Sequence, residues 1–265
     1  MAAMTAMEAI EEFLGAYIGM SLKPSPSNCF IISGKFPVYA QFGDDSCTLV
    51  DKEFHLKIII PCDYPNALPI VYELEQNALI PTSPEYHKNG DLSLCLGSPL
   101  ALFTQLSQNP SLISFAKACI VPHLASAILK KEKGMPFKQG ELKHYDEGLE
   151  EDLANRFGVK LPLKYVPLIL SRLGEKKGKA NKKPCPCGSG RNLGSCSCSI
   201  HRFISSERRK AGSSRRFYRN VARYYDFYVN RQKENPEVKN KSLATNSDCV
   251  ISLETNSIEE QKRTS

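Results

Sequence analysis

The apolar and polar positions of the first half predict a helix followed by a set of strands. Between Met4 and Ile18, apolar residues recur at helical spacing and acidic residues occupy the early turns, which indicates an amphipathic helix. Segments rich in β-branched and aromatic residues follow, separated by glycine, proline or serine, and they predict strands at 29–32, 38–42, 54–60 and 70–74. A helix followed by an antiparallel meander of four strands favours an α+β fold.

The second half is predicted to be mainly helical. Asn109-Pro110-Ser111 opens a helix with a cap residue and a proline in its first turn, and Pro122 should kink this helix. The apolar residues that this helix should bury are Leu112, Phe115, Cys119, Ile120, Leu124 and Ile128. Further helices are expected at 147–157, ending at Gly158, and at 205–230, while 161–173 should form a helix or an extended cover.

The uneven distribution of charge predicts the domain organisation. Residues 1–174 carry 15 Lys and Arg against 19 Asp and Glu, whereas 175–245 carry 18 against 5, which places a boundary near Gly174. The expected domains are a main domain, a basic linker, a cysteine-rich knuckle, a basic aromatic helix and a tail whose composition is typical of disorder. Their predicted ranges are 1–174, 175–183, 184–201, 202–233 and 234–265.

Composition indicates a soluble intracellular protein. No apolar run is expected to approach the length of a bilayer span, and the N-terminal residues lack the basic start and apolar region of a secretory signal. We therefore expect a cytoplasmic location and no membrane partner. In that compartment the ten cysteines favour reduced thiols with metal-binding or catalytic work over a disulfide framework.

Cys95 is the first candidate for such work. The turn signal Asn89-Gly90-Asp91 leads into a short apolar run that contains Cys95, and Gly97-Ser98-Pro99 ends the run. A thiol just before such a break can lie at a surface and act as a nucleophile in its thiolate form. The alternative is a buried strand cysteine that behaves as a small apolar residue. The other thiols of this domain, Cys29, Cys47, Cys62 and Cys119, are expected to be core or incidental.

The surroundings of Cys95 resemble the ubiquitin-conjugating enzyme family, especially its prokaryotic relatives. The resemblance covers residues 5–160 and rests on the Tyr64-Pro65 loop with its second proline, the strand after it, a His-x-Asn element and Cys95, in that order. It implies that Cys95 carries an acyl group as a thioester. It also implies that His87 shapes the loop and that Asn89 stabilises an oxyanion.

This sequence departs from the family's His-Pro-Asn motif in two ways. Lys88 stands where the proline is expected, and Asn89 lies six residues before Cys95, two fewer than usual. A plain turn is therefore at least as good an interpretation of Asn89 as an oxyanion donor, and His87 is a weaker candidate for a general base. A Gly-Glu-Leu-x-His segment ending at His144 adds to the resemblance, with His144 either positioning substrate or having no role.

The second strong motif brings four cysteines together within fifteen residues. The segment 184–198 is too short to bury a core, so metal coordination must supply its folding energy, with tetrahedral zinc as the default. The run Cys-Pro-Cys-Gly-Ser-Gly resembles the SEC-C zinc knuckle. The predicted ligands are Cys185, Cys187, Cys196 and Cys198, with His201 in reserve because Ser197 occupies the family's fourth position. A disulfide pair is the alternative.

Three interpretations of the basic aromatic segment remain open. Its aromatic residues recur at helical spacing among arginines. The ordinary interpretation is an apolar stripe that folds back on the first domain and leaves a solvated basic face. Docking of an acidic partner ranks next, because tyrosine and arginine anchor interfaces, and nucleic-acid binding ranks last.

Together these features predict a bacterial ubiquitin-conjugating-like enzyme with a zinc module. The resemblance implies an activating-enzyme-like partner, a protein that carries the transferred C-terminus and an amine of a target protein. It further implies a role in antiphage defence, in which the conjugated protein is a nucleotidyltransferase. The alternatives are a catalytically inactive binding module of the same fold and a zinc-knuckle protein that binds nucleic acid.

Overall fold

The computed structural model describes residues 4–42, 48–137, 145–158, 162–210 and 214–234, which form two compact units. Of these residues, 4–97 and 105–137 belong to the first unit, and 98–104 together with 145–234 belong to the second. The boundary that charge predicts near residue 174 therefore lies inside the second unit.

The first unit contains one N-terminal helix and a four-stranded antiparallel sheet. The helix α1 begins after Thr5, whose side chain and backbone pair with Glu8 in a capping box. The sheet order follows the chain, so each strand pairs with the next. The bounds are α1 Ala6–Ala16, β1 Met20–Lys23, β2 Cys29–Gln41, β3 Leu49–Pro61 and β4 Ile70–Glu73. The predicted α+β class is confirmed.

The composition of the sheet differs from the prediction. The segments expected as two strands at 29–32 and 38–42 form the single strand β2. The sheet still has four strands because it includes β1, which the sequence pattern did not indicate. Gly34 is opposite Met20 with φ at 150°, and a Cβ there would lie 2.1 Å from the Gly19 carbonyl oxygen. The glycine therefore permits a close approach of β1 and does not mark a turn.

A helical rod covers residues 112–133 and fills the core beside the sheet. It consists of α3 (Leu112–Phe115), a π turn (Ala116–Ile120) and α4 (Val121–Lys133). The six apolar residues predicted to be buried are buried. The π turn directly precedes Pro122, so the wider turn accommodates a residue that lacks an N–H and crowds the preceding carbonyl.

This rod also corrects an expectation about membranes. Within the described ranges, the stretch Leu112–Lys133 is one helix with the length and apolar composition of a membrane span. The expectation that no apolar run approaches that length is therefore wrong. In the structure 67% of its apolar window is buried, as in the core helix of a water-soluble protein.

One cysteine departs from the expected reduced state. Cys29 is disulfide-bonded, so the expectation is wrong for this residue. The other cysteines in the described part of the chain have free thiols, namely Cys62, Cys95, Cys119, Cys185, Cys187, Cys196 and Cys198.

The second unit is helical, and one further helix contributes residues to both units. That shared helix is α2, Pro99–Gln108. The second unit contains α5 Tyr145–Phe157, α6 Val166–Gly174, α7 Lys177–Asn181, α8 Ser199–Glu207 and α9 Arg215–Glu234. As predicted, α5 ends at Gly158, which has a left-handed conformation.

The apolar stripe of the basic segment is buried within this unit. Phe217, Tyr218, Val221, Tyr224 and Tyr225 of α9 are all at most 5% exposed. The helix packs against α6, where a Cβ on Gly174 would lie 2.6 Å from the Arg219 side chain. The stripe is thus covered, by a helix that the sequence assigned to the first domain.

Two predicted segments have a different structure. Residues 175–183 are not a linker with nothing to bury: they contain α7, and Ala180 is fully buried. The Lys183 carbonyl accepts a hydrogen bond from the Leu193 amide at 2.8 Å, which ties α7 to the cysteine-rich segment. The predicted single helix at 202–233 is divided between α8 and α9. The predicted disordered tail lies outside the described residues, apart from Glu234.

Candidate thiol site and candidate metal centre

A hydrogen-bonded turn precedes Cys95 and determines where its backbone lies. The Asn89 backbone amide donates to the Ser93 carbonyl at 2.8 Å, and the Ser93 hydroxyl donates to the Asp91 carboxylate at 2.7 Å. Leu94 then donates to the Val71 carbonyl of β4 at 2.7 Å, and the Cys95 amide donates to the His87 carbonyl at 2.7 Å. Cys95 is therefore attached to both sides of the turn and to the end of the sheet.

Two residues of this turn have left-handed backbone conformations although neither is glycine. His87 has φ at 53° and Leu92 has φ at 65°. Such conformations are uncommon for residues with a Cβ and cost about 1 kcal/mol or more each. The surrounding hydrogen bonds must supply that energy, so the turn is held in one defined shape.

The strongest of these supports is a buried ion pair between Lys88 and Glu73. The Lys88 ammonium lies 2.9 Å from the Glu73 carboxylate, and the two side chains are 3% and 0% exposed. The ammonium also donates to the Ile80 carbonyl at 2.9 Å, and the carboxylate accepts from the amides of Leu79 and Ile80. The Lys88 side chain thus points inward and fastens the turn to β4.

The Cys95 thiol is partly shielded in the structure. The residue has intermediate exposure, and burial raises the pKa of its thiol, although a hydrogen bond from the Gly97 backbone partly offsets this effect. The thiol is therefore protonated at neutral pH. The sequence predicted an exposed and readily ionised sulfur, whereas in the structure the thiol is protonated and the residue is mostly covered.

His123 is a neighbour of Cys95 that the sequence analysis did not identify. It lies on α4, it is 4% exposed, and its ring is hydrogen-bonded to the Cys95 backbone. Burial, together with the nearby His87 and Lys88, lowers the pKa of His123 to about 3, so its ring is neutral at pH 7. Its Nε2 atom has no hydrogen-bond partner among the described residues. The feature of the sequence that could have identified His123 is a titratable residue next to Pro122 on an otherwise apolar helix face.

The residues predicted to act with Cys95 have different roles in the structure. The His87 ring packs against Phe137, with ring centroids 4.4 Å apart, and its carbonyl holds the Cys95 amide. The Asn89 side-chain amide donates to the Ser93 hydroxyl at 2.9 Å, as the plain turn interpretation requires. His144 lies outside the described residues.

The four cysteines of the second motif form one cluster in the second unit. All four sulfur atoms lie within 4.8 Å of one another, and the pairs Cys185–Cys198 and Cys187–Cys196 are both 3.6 Å apart. Zinc–sulfur bonds of about 2.3 Å place tetrahedral sulfur pairs about 3.8 Å apart. These distances match a metal centre with four thiolates and exclude disulfides, whose sulfur atoms are about 2 Å apart.

Local turns bring the four sulfurs together. The Cys185 amide donates to the Arg191 carbonyl at 2.9 Å, and Gly188 and Gly190 adopt left-handed conformations between the first and second cysteine pairs. The Ser189 hydroxyl contacts the Cys187 sulfur at 3.2 Å, and hydrogen bonds with Ser189 and with neighbouring thiols lower the pKa of Cys187 to about 6, whereas burial raises the pKa of Cys185 and of Cys198. A thiol that ionises easily is suited to metal binding, because the thiolate is the ligand.

Cys198 provides the fourth sulfur, and His201 does not join the cluster. The Cys198 side chain caps α8 and accepts from the His201 amide at 3.3 Å. The His201 ring instead lies 3.3 Å from the Ser205 hydroxyl. The chemistry of four clustered thiols fits zinc, and these same residues would hold it.

Replacing Lys88 by methionine should destabilise the protein by about 3–5 kcal/mol, because the Glu73 carboxylate would remain buried without its counterion. Lys52→Met is the matched control: its ion pair with Glu132 is exposed, so a loss below about 1 kcal/mol is expected. Urea denaturation measures both. Equal effects of the two variants would contradict the structural role of the buried pair.

The metal centre predicts that Cys185→Ser/Cys187→Ser loses the bound zinc, since two of four ligands are removed. Metal content per chain, measured by mass spectrometry of the purified protein, should fall from about one to near zero. Cys62→Ser and His201→Asn should both retain the metal. Unchanged zinc in the double variant, or loss in His201→Asn, would refute this ligand set.

The raised pKa of Cys95 predicts slow alkylation that accelerates with pH. Below the pKa of the thiol, the thiolate fraction rises about tenfold for each pH unit, and the rate should follow it. Cys62 is an exposed free thiol and serves as the internal reference. Peptide mapping after brief iodoacetamide treatment at several pH values measures both sites. If Cys95 reacted as fast as Cys62 at pH 7, the shielding would be refuted.

Comparisons with protein-family models, with curated proteins and with solved structures gave no match. The two candidate sites are accordingly defined by the residues and distances given above.

Proposed function

We propose that the chain is a ubiquitin-conjugating-like acyl carrier. Cys95 accepts the C-terminal acyl group of a protein as a thioester and passes it to an amine of a target. The observation that carries this proposal is the succession of elements that leads to Cys95: helix α1, the four-stranded antiparallel sheet, the Tyr64-Pro65 loop and the hydrogen-bonded turn. This succession is what the sequence resemblance implies.

The proposed chemistry consists of two acyl transfers. In the first, the Cys95 sulfur loses its proton and attacks the donor thioester, and the thiolate of an activating-enzyme-like partner leaves. In the second, an amine attacks the Cys95 thioester and loses a proton, and the Cys95 thiolate leaves. No organic cofactor is required, since activation of the C-terminus belongs to the partner.

The shielded environment of Cys95 is compatible with the loaded state. Burial penalises the charged thiolate but imposes no such cost on a thioester, which is neutral. The same burial keeps the resting thiol protonated and protects it from unwanted alkylation. Loading therefore depends on a partner that takes the proton as the acyl group arrives.

Two side chains have proposed roles beside the thiol. His123 is a positioning residue: its neutral ring is hydrogen-bonded to the Cys95 backbone and helps to fix the sulfur's location. Asn89 uses one side-chain N–H to bond Ser93, and a primary amide has a second N–H that can stabilise the oxyanion of the second transfer.

The partners and the setting follow from the resemblance alone. They are an activating-enzyme-like protein, a target amine, and a nucleotidyltransferase or other protein whose C-terminus is transferred. The setting is bacterial antiphage defence in the cytoplasm. The cysteine cluster adds a zinc-stabilised module to this carrier.

A catalytically inactive binding module is the second candidate. The raised pKa of Cys95 and the engagement of the Asn89 amide by Ser93 both favour it, because neither group is poised for reaction in the free protein. In this case the same partners would bind without any covalent intermediate.

A Cys95→Ser variant should trap the acyl group, because an oxygen ester is less reactive toward amines than a thioester. The tagged full-length chain is recovered from its host with ATP present, and intact-mass measurement detects the adduct. Wild type should give an adduct that reducing agent removes, whereas the serine adduct should resist reducing agent and yield to base. Cys95→Ala should give none.

Cys62→Ser is the matched control and should behave as wild type. If no adduct forms on wild type or Cys95→Ser, and Cys95→Ala retains the same partners, the enzyme proposal fails and the binding module stands.

A further inference from the structure

The surface of the second unit carries an unusual excess of positive charge. Residues 162–226 contain 16 Lys and Arg but only three acidic residues. Among the described residues of this range, thirteen of the basic side chains are exposed, and Asp226 is the single exposed acid. The exposed basic residues are Lys164, Lys176, Lys177, Lys179, Lys182, Arg191, Arg202, Arg209, Lys210, Arg215, Arg216, Arg219 and Arg223.

The other two acids do little to offset this charge at the surface. The Glu175 side chain is 16% exposed and pairs with Lys183 and Arg172. The Glu207 side chain is 9% exposed and accepts from the Tyr218 hydroxyl at 3.0 Å. Both carboxylates are used inside the unit, so the outward charge of residues 162–226 is almost entirely positive, while α5 of the same unit adds the exposed acids Glu147 and Glu151.

Helix α9 orders part of this charge in a row. Arg215, Arg219 and Arg223 are four residues apart and therefore follow one another along one side of the helix at about 6 Å intervals. All three are exposed, whereas the aromatic residues Phe217, Tyr218, Tyr224 and Tyr225 are buried. A rigid row of cations suits a partner that presents closely spaced negative charges.

The burial of the aromatic residues up to Tyr225 bears on the choice of partner. Tyr224 and Tyr225 are 3% and 0% exposed, so these tyrosines cannot anchor an acidic protein or stack on the bases of a single strand. Among the described residues of this unit, Leu168 is the single large apolar residue that is exposed to solvent. A protein interface needs such anchors at its centre, whereas a phosphate backbone does not.

We propose that this surface of the second unit binds the phosphate backbone of double-stranded nucleic acid without sequence preference. A duplex carries one negative charge per about 1.7 Å of its axis, so several phosphates can lie beside the arginine row, and the exposed lysines on α7 add to the positive charge of the same unit. The site is independent of Cys95, so it stands or falls separately from the acyl-transfer proposal.

Fluorescence anisotropy of a labelled mixed-sequence DNA duplex, about two helical turns long, tests the proposal with the full chain. If about four phosphates are contacted, affinity should fall about 100-fold between about 50 and 200 mM salt. Arg215→Gln/Arg216→Gln/Arg223→Gln should weaken binding at least about tenfold and reduce the salt slope by about three. Cys95→Ala should bind as wild type.

The matched control is Lys23→Gln/Lys117→Gln/Lys133→Gln, which removes the same charge from exposed positions of the first unit. It should change affinity less than about twofold. If the arginine variant melts at a lower temperature, a second variant replaces it, Lys177→Gln/Lys179→Gln/Lys182→Gln, which changes two lysines on α7 and the residue that follows it. This variant should also weaken binding.

Three results would overturn the proposal. One is the absence of binding at the lower salt concentration, and another is an equal loss in the control triple variant. The third is competition by polyglutamate as effective as that by unlabelled duplex at equal charge, which would indicate an acidic protein partner.

Discussion

The buried ion pair between Lys88 and Glu73 is the constraint on which the candidate thiol site depends. A charge without a partner is costly in an interior, so the lysine can lie there only while the carboxylate holds it. Because Glu73 ends β4 and Lys88 lies inside the turn, the pair couples the sheet to the segment that carries Cys95. The two left-handed residues, the Asn89–Ser93 bonds and the contact of His123 with the Cys95 backbone all rely on the turn keeping this place.

Local patterns in the sequence predicted most of the elements but not their long-range contacts. The buried face of the helix that contains Pro122, the end of α5 at Gly158 and the class of the fold followed from periodicity and cap residues, which act over a few positions. The strand β1 was missed because three of its four residues are exposed and show no alternation. The roles of Lys88 and His123 depend on partners that are distant in the chain, Glu73 and Cys95, and no local signal identifies such pairs.

The cysteine cluster was predictable for the opposite reason. Its ligands lie within fifteen residues, so their spacing alone constrains the geometry, and the structure selects Cys198 over His201 as the fourth. The support of the cluster was not predictable. The sequence of α7 suggests a polar linker, and Ala180 becomes a core residue only because the segment packs against its neighbours. Composition described the charge of this region correctly but not which of its residues lie inside.

The sulfur cluster has an electrostatic consequence for its basic surroundings. A divalent ion held by four thiolates has a net charge of about −2, and neighbouring ammonium and guanidinium groups lower the energy of that anion. Retention of such an ion would therefore be thermodynamically linked to the positive charge of the surrounding Lys and Arg side chains. A modification that neutralises these side chains, such as acetylation of the lysines on α7, would weaken binding of the ion. Loss of the ion would in turn change how strongly the same side chains attract anions.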